Sequence, residues 1–254
     1  MTGLLLAFQF FSAIPVRKEL PMERKDVTAM YLALPVVGAL VGLVMYGIAL
    51  LFMDAIGTGP LLASFAIVLT GIALTGGLHM DGFADVGDGY FSYRDKEKRL
   101  AIMDDPRIGA FGTMAIILVI IGKIVLVHEL LLREVDLLPI LLVAPVLARV
   151  GMNVYFITTR LAKEKGIAHF FKEKIGMGIL IGGSFFIGIV ALILFGFAVQ
   201  SVIMPVVLVG SLALAVVLFR MWSLSQFGGV TGDLCGAFIE GMEAIVWLLV
   251  IICI

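Results

Sequence analysis

Residues 76–112 read GGLHMDGFADVGDGYFSYRDKEKRLAIMDDPRIGAFG and hold seven acidic and five basic side chains, in a chain that is otherwise mostly apolar. Charge concentrated this way beside long apolar runs is costly in a membrane protein unless it is used. Within it, Asp81, Asp85 and Asp88 recur at i, i+4 and i+7. On a helix that spacing lines three carboxylates along one face, a setting suited to a hard divalent cation.

The sequence on either side fixes the class. The 254 residues are 61% hydrophobic with a mean hydropathy of +1.15, more than a soluble core requires. Several nearly uncharged runs approach the roughly 20 residues that a helix needs to cross about 30 Å of hydrocarbon. The expected fold is therefore all-α: a polytopic membrane bundle with spans near 31–53, 60–78, 108–128, 137–157, 175–199, 202–222 and 234–254. The second of these is short and ends in Thr75-Gly76-Gly77; the last begins beside Glu240 and Glu243.

Net charge is only −1, so the total points to neither an anionic nor a cationic partner, and no nucleic-acid partner is expected. The positions of the eighteen Lys and Arg are more telling, because fifteen of them fall at alternate ends of the spans. Arg17, Lys18, Arg24 and Lys25 precede the first span, and Arg94, Lys96, Lys98, Arg99 and Arg107 separate the second from the third. Arg160, Lys163, Lys165, Lys172 and Lys174 follow the fourth, and Arg220 lies near the end of the sixth, whereas the intervening connections hold only Arg133. By the positive-inside rule, the N-terminus and the acidic segment face the cytoplasm and seven spans carry the C-terminus outside the cell membrane.

Residues 1–16, MTGLLLAFQFFSAIPV, are too short to span and lack the basic region of a cleavable signal. They read as an interfacial or partly buried helix stopped at Pro15. Cys235 and Cys253 both fall in the last span and fit neither a disulfide framework nor a zinc spacing. No repeat or second soluble region appears, so residues 1–254 form one membrane-embedded domain. The sequence leaves open whether it works alone or as a homo-oligomer.

Inside the acidic segment, RDKEKR at 94–99 reads as a solvated helical turn with local ion pairs. Asp81, Asp85 and Asp88 differ, lying directly after an apolar span among Gly76, Gly77, Gly82, Gly87 and Gly89. These glycines allow close backbone approach to a ligand, and the carboxylates repel one another unless a cation compensates them. Magnesium fits, since it takes oxygen ligands and is often shared with substrate phosphates. His79 is a candidate ligand or proton carrier, against the plainer role of an ordinary hydrogen bond. Asp104 and Asp105 precede Pro106, where acids suit the positive end of the next helix. Arg107 is a candidate phosphate clamp or a membrane-surface anchor.

A second polar stretch, FGGVTGDLCGA at 227–237, places Gly228, Gly229, Thr231, Gly232 and Asp233 where backbone N–H groups can cradle phosphate oxygens. It lacks the Walker spacing and lysine, but the topology returns it to the same face as the aspartates. Arg149, costly inside the fourth span, and Asn153, four residues on, are candidates to line a substrate pocket or to make an interhelical hydrogen bond.

Together, LTGGLHMDGFADVGDG, IMDDPRIGAFG and GGVTGDLCGA resemble the cobalamin synthase family, the adenosylcobinamide-GDP ribazoletransferases, and the resemblance runs in order over the whole chain, including the opening LLLAFQFFSAIPV. The family usually carries a basic residue followed by Asp-Ser-Arg where this chain has Asp104, Asp105, Pro106 and Arg107. Asp105 and Arg107 therefore match, while Asp104 and Pro106 do not. The resemblance implies a magnesium-dependent membrane transferase that joins adenosylcobinamide-GDP to α-ribazole, or its 5'-phosphate, with release of GMP. It implies that Asp81, Asp85, Asp88 and Asp105 bind Mg2+, that Arg107 meets the pyrophosphate, and that His79 or an aspartate takes up the attacking hydroxyl's proton.

Two rival readings of the same residues are weaker. A CDP-alcohol phosphotransferase-like enzyme predicts DG-x-x-AR, but Asp81-Gly82-Phe83-Ala84 is followed here by Asp85. A cation transporter predicts carboxylates near the bilayer centre and broken helices in matching halves, whereas nearly all the acids lie at one edge.

Overall fold

The computed structural model describes residues 2–253 and is helical throughout. A short helix α1 (Thr2–Phe11) leads to α2 (Arg24–Leu50), which a π-helical turn extends to Ala55. Next come α3 (Pro60–Leu74), α4 (Leu78–Ser92), α5 (Lys96–Met103), α6 (Ala110–Leu132) and α7 (Leu137–Thr158). The remainder is α8 (Ile167–Lys174), α9 (Met177–Ala198), α10 (Ile203–Gln226) and α11 (Gly232–Cys253). Six of these are long and apolar enough to cross a membrane, and the bent pair α3–α4 brings the number to seven if it counts as one span.

That pair is where the architecture departs from the expected spans. The second span, expected at 60–78, is a helix of 15 residues that stops at Leu74, about 22 Å long and so short of a full crossing. Gly76 and Gly77 then adopt φ of +66° and +75°, a left-handed turn that glycine makes without steric cost. The chain leaves the turn as α4, inclined at 91° to α3. The acidic segment is thus not a loop. It is mainly two helices, α4 and α5, and α4 lies across one end of the bundle against the first turns of α6 and α11 and the last turn of α10. The first span also begins earlier than its apolar run, at Arg24, because Glu23 and Asp26 form a reciprocal capping box there.

α7 is the axis of the molecule, with nearly every side chain from Leu137 to Ile157 buried. Close packing against α2 depends on two glycines. A Cβ on Gly42 would lie 2.0 Å from the Leu141 carbonyl oxygen, and one on Gly38 would lie 2.8 Å from that of Pro145. Small residues allow such backbone approach where lipid removes the usual hydrophobic drive between helices. α9 and α10, by contrast, point Phe185, Phe186, Phe197, Val206 and Leu214 outward, as a lipid-facing surface does. α1 packs along α2, with Gly3 pressed on Ala29, rather than lying free at an interface.

The bundle interior holds a charged cluster. Lys123 Nζ donates to Glu240 Oε2 and, at 2.8 Å, to Glu243 Oε2, while Arg149 Nη1 donates to Glu243 Oε1 at 3.0 Å. Two acids and two bases offset one another, which is how buried charge is tolerated.

Candidate functional site

Three connections meet at the end of the bundle that α4 covers. The segment after α7 and the segment before α11 run side by side: Val230 N–H donates to the Arg160 carbonyl at 2.8 Å, and Ala162 N–H returns to the Val230 carbonyl at 3.1 Å. Gly229 is required by this contact, since a Cβ there would come within 2.3 Å of the Arg160 oxygen. Past the pairing, Thr231 Oγ1 accepts the Leu234 N–H at 3.2 Å and caps α11. Lys163, just beyond the other strand of the pairing, reaches Asp104 Oδ1 at 2.6 Å and the Leu100 carbonyl at 3.3 Å.

α4 meets α11 backbone to backbone. A Cβ on Gly82 would stand 2.8 Å from Asp233 Cα, and one on Gly236 would stand 3.1 Å from His79 Cα. This two-glycine seam brings the first and last polar motifs into one place. They open on a cavity of about 390 Å³ whose polar wall includes Asp81, Asp104, Lys163, Thr231, Gly232 and Asp233. The rest of its wall is largely apolar and aromatic, supplied by α1, α2, α7 and α8.

The three spaced aspartates have different surroundings. Asp81 is exposed at the cavity, and Asp85 is half-buried. Burial first, then the carboxylates of Asp233, Asp81 and Asp88, push the Asp85 carboxyl up to about 7, with Lys163 opposing. Asp88 is buried, and both its oxygens are engaged: Oδ2 accepts the Gly109 N–H at 2.6 Å and Oδ1 the Gly112 N–H at 2.8 Å. It holds the N-terminus of α6.

Among the described residues no three His, Cys, Asp or Glu side chains converge as a metal cage. Magnesium does not need one, because it is commonly held by one or two carboxylates, waters and substrate phosphates. Asp81 and Asp233 share the cavity wall, and the Asp85 carboxyl near them is raised first by burial and then by their negative charge. That donor set fits the ion.

Comparison with known proteins identifies the chain. Its residues 3–251 match the family described as cobalamin-5-phosphate synthase. The chain belongs to the cobalamin-5-phosphate synthase family. Curated relatives named adenosylcobinamide-GDP ribazoletransferase include that of Geobacillus kaustophilus strain HTA426, 34% identical over 96% of this chain and 93% of the relative. The protein of Geobacillus thermodenitrificans strain NG80-2 is 36% identical over 96% and 93%, and that of Clostridium botulinum strain Loch Maree is 32% identical over 99% and 98%. No solved structure matches the chain. Family membership makes this protein a transferase of cobalamin biosynthesis.

In this member of the family, the structure gathers His79, Asp81, Thr231, Gly232 and Asp233 around one cavity and sets Asp85 beside them. It does not bring in the remaining expected residues. Asp105 pairs with Arg107 at 2.6 Å on the surface, and Arg107's hydrogen bonds to its side chain hold the Asp105 carboxyl down at about 2. Arg149 belongs to the interior charged cluster. Asn153 donates to the Tyr31 carbonyl and to Ser184 Oγ, an interhelical tie rather than a pocket wall. Gly228 and Gly229 serve the pairing of the two connections: the Gly228 carbonyl accepts Arg160 Nε–H at 2.8 Å and the Val230 N–H is spent on Arg160. The Val230 N–H is thus unavailable to a phosphate, and the helix N-terminus at Gly232 lies on the cavity wall.

Several cavity residues escaped the sequence reading. Lys163 and Lys165 counted there only as markers of topology, although their place just after a span on the aspartate side was a usable signal. Asp104, set aside as a cap, is the partner of Lys163. His79 is buried, its Nδ1 3.8 Å from Glu240 Oε1, and so touches both the cavity and the interior cluster.

Proposed function

We propose that this protein joins adenosylcobinamide-GDP to α-ribazole, or its 5'-phosphate, and releases GMP, at the cavity between α4 and the N-terminus of α11. The observation that carries the reading is that Asp81, Asp233 and Lys163 line one cavity in a member of this family. A hydroxyl of the acceptor attacks the phosphorus that bears the cobinamide, and the bond to the GMP oxygen breaks.

Asp81 and Asp233 are the residues that would hold Mg2+, with Asp85 near them, and the ion when bound would neutralise charge on the diphosphate. Lys163 and Lys165 bring positive charge to the same oxygens, and the α11 N-terminus at Gly232 adds its dipole. Lys163 is held in reserve by Asp104 until a phosphate competes for it. Asp81, exposed at the cavity, is placed to take the proton of the attacking hydroxyl. Positioning and electrostatics of this kind are the main contributions an enzyme makes to phosphoryl transfer.

The site lies at the cytoplasmic face of the cell membrane in this reading. Supporting it, the basic residues of α5, α8 and the segment after α7 gather at the aspartate end of the bundle, while the connection at 133–136 carries Arg133 alone. The test is GMP release by purified protein given adenosylcobinamide-GDP, α-ribazole and Mg2+, with EDTA as control. Turnover that chelation abolishes is expected, together with loss of at least about a hundredfold in Asp81→Asn; turnover indifferent to EDTA overturns the metal assignment, and no turnover overturns the reaction.

A further inference from the structure

One part of the cavity wall has a chemistry unlike the rest. Phe10 and Phe11 of α1, Tyr31 of α2, Phe156 of α7 and Phe171 of α8 all line it. Tyr31 stacks on Phe156 with ring centroids 5.3 Å apart and planes 6° from parallel, and meets Phe171 edge-on at 5.9 Å. Phe10 also meets Phe171 edge-on, at 5.2 Å, and Phe11 meets Tyr31 at 6.1 Å. Interlocked rings of this kind hold one another in place. One polar group stands among them: the hydroxyl of Tyr31, a residue 4% exposed on the cavity wall. Unlike the Tyr155 hydroxyl, which is fully enclosed without a partner, it keeps some accessible surface and is free to donate to a ligand atom.

We infer that this aromatic chamber holds the base of the acceptor nucleoside, with the Tyr31 hydroxyl donating to the ring nitrogen that the sugar leaves free. The inference rests on the proposed function and assigns the two halves of its site. The base of α-ribazole is a dimethylbenzimidazole, a flat apolar bicycle with a single unsubstituted ring nitrogen. It matches a chamber of rings with a single hydroxyl. Guanine, the other flat ring in the reaction, presents several donors and acceptors along its edge, and this wall would leave most of them unpaired at a cost. With the base against these rings, the ribose points to the polar wall, where Asp81, Asp233 and Lys163 meet the diphosphate. A corrin with its side chains does not fit in 390 Å³, so the cobinamide stays outside. α1 thereby has a function: it closes the base chamber.

The experiment is steady-state kinetics of wild type and Tyr31→Phe with three substrates varied in turn: adenosylcobinamide-GDP, α-ribazole, and an indole riboside in which the free ring nitrogen is replaced by C–H. Tyr31→Phe keeps the ring packing. It is expected to raise KM for α-ribazole about three- to tenfold, the worth of one neutral hydrogen bond, with KM for adenosylcobinamide-GDP unchanged. The wild-type preference for α-ribazole over the indole riboside should vanish in the variant, which a purely structural role for Tyr31 would not produce. An unchanged acceptor KM, or a shift in the donor KM instead, overturns the inference while wild-type turnover leaves the proposed function standing. Absence of wild-type turnover overturns both. Should Tyr31→Phe prove inactive, equilibrium dialysis of wild-type protein decides: retention of α-ribazole that guanosine does not displace supports the chamber, and displacement by guanosine refutes it.

Discussion

The Asp88 carboxylate accepts the backbone N–H of Gly109 at 2.6 Å and, through its other oxygen, that of Gly112. A residue that belongs by spacing to an acidic, metal-like triplet is thus the clamp that fixes α6 to α4. Gly112 is part of the same arrangement, since a Cβ there would lie 2.3 Å from Asp88 Oδ2. Asp88→Ala should therefore cost stability, on the order of 2 kcal/mol for two charge-assisted hydrogen bonds. Mg2+ affinity per folded molecule should stay unchanged. Thermal unfolding in detergent, with and without Mg2+, checks this; a variant of normal stability that has lost its response to Mg2+ would return Asp88 to the metal.

Gly82→Ala should act at the site without touching any reacting group. The new methyl would sit 2.8 Å from Asp233 Cα and from its carbonyl oxygen, both backbone atoms, so α4 and α11 must separate. Asp81 and Asp233 then part, and the Mg2+ concentration for half-maximal activity should rise about tenfold or more, as misplacement by an ångström typically does. Activity measured against Mg2+ concentration gives the answer, and an unaltered Mg2+ curve would mean that this seam does not position the carboxylates.

The helical class and most span positions could be read in the sequence because hydropathy over 20 residues is a local property. Where α3 stops could be read only in part: Thr75-Gly76-Gly77 marked a weak end, but nothing local says that the chain turns by 91° there. The aspartates illustrate the same limit at the site. Their helical spacing was visible, whereas which of them faces the cavity depends on Gly82 meeting Asp233, a contact between residues 151 positions apart. Arg149 and Asn153 looked alike as polar intruders in a span. Their partners, Glu243 and the Tyr31 carbonyl, come from other helices, and so their roles were settled only by packing.

Lys123 tests the interior cluster. Lys123→Met leaves Glu240 and Glu243 facing each other with Arg149 alone to offset them. Breaking a buried pair on one side costs about 3–5 kcal/mol, whereas replacing both partners with apolar residues is often nearly neutral. Lys123→Met should accordingly unfold far more readily than wild type, and adding Glu240→Leu should recover much of the loss. Chemical or thermal unfolding of the two variants measures the recovery; a double variant less stable than the single one would mean that Glu240 is held by groups other than Lys123.

Asp85 carries the last prediction, for pH. Its carboxyl is raised from 3.8 to about 7 in the folded chain, chiefly by burial and then by Asp233 and Asp81. Between those two values the unfolded chain has lost a proton that the folded chain keeps, so the native state binds more protons and stability falls as pH rises. The loss from this residue is complete above about 7 and absent below about 4. Metal-free protein should therefore melt at progressively lower temperature from pH 4 to pH 7, and Asp85→Asn should flatten that slope because it cannot ionise. Mg2+ should also flatten it in the wild type, by offsetting the negative field that raises Asp85. Melting curves at several pH values, with EDTA or with Mg2+, separate the effects. If Asp85→Asn keeps the wild-type slope in EDTA, the titrating carboxylate lies elsewhere, and if Mg2+ leaves the slope unchanged, the ion does not sit beside Asp85.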